Sequence, residues 1–139
     1  MNRSIKDTIK VTQLLDPQAI NADEESAGVN ASLGEALQIA VHVGDFAFSP
    51  TNALSLRLQH ADVDVDGSYA AVVDADVFED VAANGQVALL DATDDAEQVL
   101  LYNYKGKKKF VRLAIVETGT VSCPMAVTAL QGELKAQGE

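Results

Sequence analysis

From Ala36 onward, apolar and polar residues alternate with period two. Leu37, Ile39, Val41 and Val43 interleave with Gln38, Ala40, His42 and Gly44, and Leu54, Leu56 and Leu58 with Ser55, Arg57 and Gln59. Successive side chains of an extended chain point to opposite faces, so each run offers one apolar face to a core and one polar face to solvent. A helix would instead scatter Ser55, Arg57 and Gln59 around the same cylinder as the leucines. Further β-prone runs follow at Tyr69–Val73, Gln86–Leu90, Gln98–Tyr104, Phe110–Val116 and Met125–Leu130. In the fourth of these, Val111, Leu113 and Ile115 share one face and Phe110, Arg112 and Ala114 the other. Turn-forming residues separate the runs: Gly44-Asp45, Ser49-Pro50, Asp66-Gly67, Asn84-Gly85, Gly106 and Gly119. Asp74–Ala83 reads either as a loop or as one or two helical turns ending at Asn84-Gly85.

This pattern predicts an all-β fold, an antiparallel β-sandwich (jelly-roll or immunoglobulin-like) of about seven or eight strands, with a closed barrel as the alternative. Most connections are too short for parallel crossovers. The sandwich domain is expected over residues 36–139, its strands ending near residue 132. Leu37, Ile39, Val41, Leu54, Leu56, Leu58, Leu113, Ile115 and Val127 are the expected core. Residues 1–35 read as an extended N-terminal arm or lead-in. Ile9–Leu15 has the character of a short strand, Asp16-Pro17 of a turn or helix start, and residues 21–34 offer little to bury.

Composition narrows the chemistry. The 139 residues carry 21 acids against 10 bases, a formal charge of -11. An acidic surface is a poor nonspecific ligand for nucleic acid, so no specific nucleic-acid partner is expected. No apolar run approaches the roughly 20 residues of a membrane span, and Met1–Lys6 lacks the apolar region of a secretory signal. The bases are clustered: Arg3, Lys6 and Lys10 near the start, then Lys105, Lys107, Lys108, Lys109 and Arg112. Between Arg57 and Lys105 stand eleven acids and no base.

Asp62-Val63-Asp64-Val65-Asp66-Gly67 opens like a calcium loop, in which alternate carboxylates converge on one cation. The expected twelfth-position acid is replaced by Val73, and no helices flank the segment. A solvated hairpin is the stronger reading, with Asp62, Asp64 and Asp66 a weak cation candidate. Tyr104-Lys105-Gly106-Lys107-Lys108-Lys109-Phe110 contains Gly-Lys without the rest of a phosphate-binding loop. It reads as a hairpin loop whose lysines oppose edge pairing, or as a basic knob for an acidic partner. Cys123, the single cysteine, and His42 and His60, the two histidines, form no metal-ligand or nucleophile–base pattern. No set of residues combines nucleophile, base and oxyanion donors. An enzyme and a cofactor are therefore not expected. Aromatic residues at 5% make a stacking platform for sugars or bases improbable.

Several stretches in order resemble a known family: Val11–Gln18, the β-rich Leu37–Val43, Leu54–His60 leading into Asp64-Val65-Asp66-Gly67-Ser68-Tyr69, then Tyr102–Lys109 and Phe110-Val111-Arg112-Leu113. Over roughly the whole chain this is similar to small structural proteins of tailed bacteriophages, prophages and gene-transfer-agent-like particles. The resemblance implies a virion component, first a head decoration (cement) protein on the capsid exterior, made in the bacterial host cytoplasm. Its implied partners are the major capsid protein and itself, as a homotrimer. A head–tail connector or tail-tube component, or a general β-sandwich binding module, are the alternatives. An acidic protein that docks on an acidic shell needs local positive contacts. Arg3, Lys6 and Lys10, with Lys107, Lys108 and Lys109, are the candidate capsid contacts.

Overall fold

The computed structural model describes residues 9–134 in backbone and residues 9–132 in side chain. Ten strands run in the order β1 (Ile9–Ile20), β2 (Glu24–Glu25), β3 (Val29–Asn30), β4 (Gly34–Val43), β5 (Ala53–Ala61), β6 (Ala70–Ala71), β7 (Gln86–Leu90), β8 (Gln98–Tyr104), β9 (Phe110–Thr118) and β10 (Cys123–Leu134). They form two antiparallel sheets that pack as a β-sandwich. The first sheet has the order β1-β10-β4-β8. The second is built on the β5–β9 pair: β2 and β3 lie along the free side of β9, and β6 and β7 along the free side of β5. No helix of the described residues is long and apolar enough to cross a membrane.

The period-two runs become the central strands. Every residue of the expected core is buried, from Leu37 through Leu56 to Val127. The strand count exceeds the sequence expectation because short polar pieces, β2, β3 and β6, pair only two residues each.

The expectation of a lead-in over residues 1–35 needs correction for its described part. Residues 9–30 are woven into both sheets. β1 pairs with β10 along its whole length, with register shifts between Gln13 and Leu15 and between Leu15 and Gln18. A bulge resets the side-chain alternation. The neighbours Leu14 and Leu15 are consequently both buried, and Pro17 is tolerated because β1 is a sheet edge. Ser26, also buried, replaces a strand residue by its side chain: its N–H donates to Leu113 O (2.8 Å), and its Oγ accepts from Leu113 N (2.9 Å). Arg3 and Lys6 lie outside the described residues.

Two loops settle open readings. Asp74–Asp76 and Ala83–Gly85 are single 3-10 turns. In the second, Asn84 and Gly85 take φ of 62° and 75°, the left-handed region that Asn and Gly tolerate best. The acidic segment Asp62–Tyr69 does join a hairpin, from β5 back along β5 through β6.

Candidate functional site

The lysine loop connects the two sheets. Tyr104 ends β8 in the first sheet and Phe110 starts β9 in the second, so residues 105–109 cross one end of the sandwich. This corrects the hairpin reading of the loop. The crossing leaves an open groove of about 960 Å³. One wall is Ala31 and Ser32 with Gly34–Leu37 at the start of β4; the other is Phe78 with Asn103–Lys109. Lys105, Lys107, Lys108 and Lys109 all line it, opposed by the one acid Glu35.

Tyr104 sets the shape of the loop. Its ring is buried, and its hydroxyl accepts from the Lys108 backbone N–H (3.1 Å). The same hydroxyl shares a hydrogen bond with Nδ1 of His60, 2.9 Å away, and the two rings meet edge to face. A Cβ at Gly106 would overlap the Tyr104 ring, so only glycine lets the chain wrap this closely.

Three of the four lysines have a side-chain partner of their own. Lys108 Nζ pairs with Asp62 (3.0 Å) across an exposed contact. Lys105 Nζ sits 4.7 Å above Phe78, and Lys109 Nζ 5.6 Å above Phe110. Among the described residues Lys107 enters no ion pair. Phe78 is 69% exposed, a large apolar ring presented beside positive charge.

Topology adds Lys10 to this end. Lys10, Gln131, Leu37 and Tyr104 form one row across the first sheet. Three strand spacings, about 14 Å, separate Lys10 from Tyr104. Thus the described members of both basic clusters lie at the same end of the sandwich.

The Asp62, Asp64 and Asp66 candidate is not assembled as a cation site. Asp62 faces Lys108, Asp64 accepts from the Tyr69 hydroxyl (2.7 Å), and Asp66 accepts from Arg112 Nη1 (2.6 Å). In this arrangement the three carboxylates face three different partners rather than one another. Among the described residues no three His, Cys, Asp or Glu side chains gather in a metal-binding arrangement.

Arg112 was the residue whose role the sequence concealed. It alternates onto the outer face of β9, yet it is 6% exposed, because the Asp62–Tyr69 hairpin and β2 fold over it. Its Nε donates to Gln59 Oε1 (2.8 Å), and Nη1 reaches both Asp66 and Glu25 (3.1 Å). The guanidinium lies 4.0 Å from the Tyr69 ring centre. Two motifs distant in sequence, Asp66-Gly67-Ser68-Tyr69 and Phe110-Val111-Arg112, therefore meet in one cluster. Burial, with the bond to Asp64, pushes the Tyr69 hydroxyl far up.

His60 and Cys123 have separate surroundings. The Cys123 thiol is buried at the start of β10, beside Gly44 O (3.7 Å) and Pro124 O (3.6 Å). Burial pushes that thiol up, toward the unreactive form. His42 is exposed on the outer face of β4.

The loop anchor carries a pH signature. Burial, the largest influence, holds His60 below its ordinary pKa of 6.5, and Lys108 adds to this; Asp76 and Asp62 pull the other way. The unfolded chain thus binds this proton before the folded chain does. Stability from this group is flat above pH 6.5 and falls as the pH drops below it. Expected result: His60→Gln loses less stability than wild type on acidification from pH about 7 to about 5, read by urea unfolding. Parallel pH profiles would contradict the assignment.

Neither the models of known protein families nor the curated proteins gave a match to this chain.

Proposed function

We propose that this chain is a non-enzymatic structural protein of a tailed-phage or prophage virion. In this reading it decorates the outer surface of the major capsid lattice and docks through the lysine-lined end of its sandwich. The observation that carries the docking is the concentration of Lys105, Lys107, Lys108 and Lys109 around one groove in a chain of charge -11. The phage assignment is supported by the ordered resemblance of the sequence, together with a physical reason for two of its motifs: Arg112 ties the Asp66–Tyr69 turn to β9.

The chemistry suits attachment. Two tightly packed sheets give a rigid body. The groove supplies positive charge and an exposed ring, Phe78, for an acidic and partly apolar surface. Individual exposed contacts are weak, about 0–1 kcal/mol each, but a lattice presents many equivalent sites, and two-point attachment by linked copies multiplies affinity.

The test uses shells assembled from the major capsid protein alone, mixed with the purified chain and sedimented. Saturable binding at a fixed ratio to capsid subunits is expected. No co-sedimentation with such shells, alongside binding to purified tails or connectors, would overturn the head assignment.

A further inference from the structure

The two edges of the first sheet are built differently. At one edge, β1 carries Pro17, two register shifts and Lys10, features that discourage another strand from adding on. The edges of the second sheet are pieces of two to five residues. The other edge of the first sheet, β8, is regular and carries no charge from Gln98 through Tyr104. Its outward side chains include Val99 at 55% and Leu101 at 49% exposure.

Half of this edge is capped and half is open. Asn103 turns its backbone away from β4, and Phe78 N–H and the Glu79 carboxylate bond to it there (3.1 and 3.0 Å). Strand alternation aims the amides and carbonyls of Val99 and Leu101 to that same outer side. Among the described residues no strand pairs with them. Glu97, with φ of 55°, turns the chain away at the other end. The open edge is therefore residues 98–102.

We propose that this edge pairs antiparallel with the same edge of a second copy, about a twofold axis at Leu100. In that register Val99 and Leu101 of one copy exchange both backbone hydrogen bonds with Leu101 and Val99 of the other. Their side chains then form apolar cross-strand pairs on the outer face, and the two Leu100 residues stand opposite each other. A second copy is favoured because the segment matches itself under the twofold and is a charge-free strip on a body of charge -11. The pairing closes at two copies, so a dimer replaces the trimer that the resemblance implies. Like charges flank it: Glu97 of one copy faces the Glu79 region of the other. Dimerisation therefore strengthens with salt, the reverse of docking through lysines.

The inference is independent of the capsid reading, since it is tested on the full-length protein alone. Sedimentation velocity should show a concentration-dependent dimer that tightens as salt rises. Leu101→Lys should weaken it at least about tenfold, by placing a charge on each side of the axis. Leu100→Cys should form a disulfide-linked dimer on air oxidation, because a non-hydrogen-bonded antiparallel pair brings Cα atoms to about 4.5 Å. Val99→Cys and Leu101→Cys singly should not, their thiols facing leucine or valine instead. Circular dichroism checks the fold of each variant, and buried Cys123 stays out of the reaction. A wild-type protein that stays monomeric at high salt up to about 1 mM, a trimer or ring, a dimer indifferent to Leu101→Lys, or cross-linking by the Val99 and Leu101 cysteines but not by that at Leu100 would each overturn the proposal.

Discussion

Replacing Arg112 by alanine is expected to lower the unfolding free energy by about 3 kcal/mol. For a chain of this size that is a fall of roughly 10 °C in Tm. The side chain is almost fully buried and does three things at once: it bonds Gln59 on β5, pairs with Glu25 on β2 and Asp66 on the hairpin, and stacks on Tyr69. Charge-assisted bonds contribute about 1.5–3 kcal/mol each when isolated, but these share one group and do not add. The acids are forgiving. Asp66 is 88% exposed in its side chain, so Asp66→Ala leaves no stranded charge and should change stability by less than about 1 kcal/mol. Arg112→Lys should fall between, since an ammonium keeps the charge but loses the planar fork. Equal losses for Arg112→Ala and Asp66→Ala in urea unfolding would show that the pair, not the buried guanidinium, does the holding.

Changing Lys107, Lys108 and Lys109 to serine should weaken attachment to acidic capsid surfaces by about 10- to 100-fold at low ionic strength, from about 0.5–1 kcal/mol per contact. The body should remain folded, because these side chains stand on a connection and only Lys108 has an ion-pair partner, itself exposed. The difference between variant and wild type should shrink as salt rises and the screening length drops to about 8 Å or less. Glutamate at the same positions should be worse than serine. Binding to undecorated shells at two salt concentrations measures both. Unchanged affinity with unchanged salt dependence would move attachment to another surface.

The central strands were legible because Leu54, Leu56, Leu58 and Leu113, Ile115 keep strict alternation over long paired stretches. β1 was only half legible. Its bulges break the period, placing Leu14 and Leu15 on one side, and Pro17 looks like a terminator although a sheet edge accommodates it. β2 and β3 carry almost no apolar signal; Ser26 anchors them through its N–H and hydroxyl on Leu113, and Val29 through one buried side chain.

For the site, the lysine run was visible as composition, but not as a crossing between sheets. A loop of five residues serves a hairpin or a sheet change equally well, and the choice was made by which neighbours β8 and β9 found. The groove itself depends on Ala31, Ser32 and Gly34–Leu37, some seventy residues away in sequence. Arg112 shows the limit of facing arguments. Alternation places it outward, and only the hairpin folded across it makes it interior.

Electron cryomicroscopy of phage particles from a lysogen or infection that expresses this chain would locate it and test the proposed capsid attachment. Density for the sandwich is expected at regular positions on the outer surface of the shell, with the Lys105–Lys109 end toward the major capsid protein. Density for this chain in the tail or at the portal, or on the shell with that end turned to solvent, would contradict it.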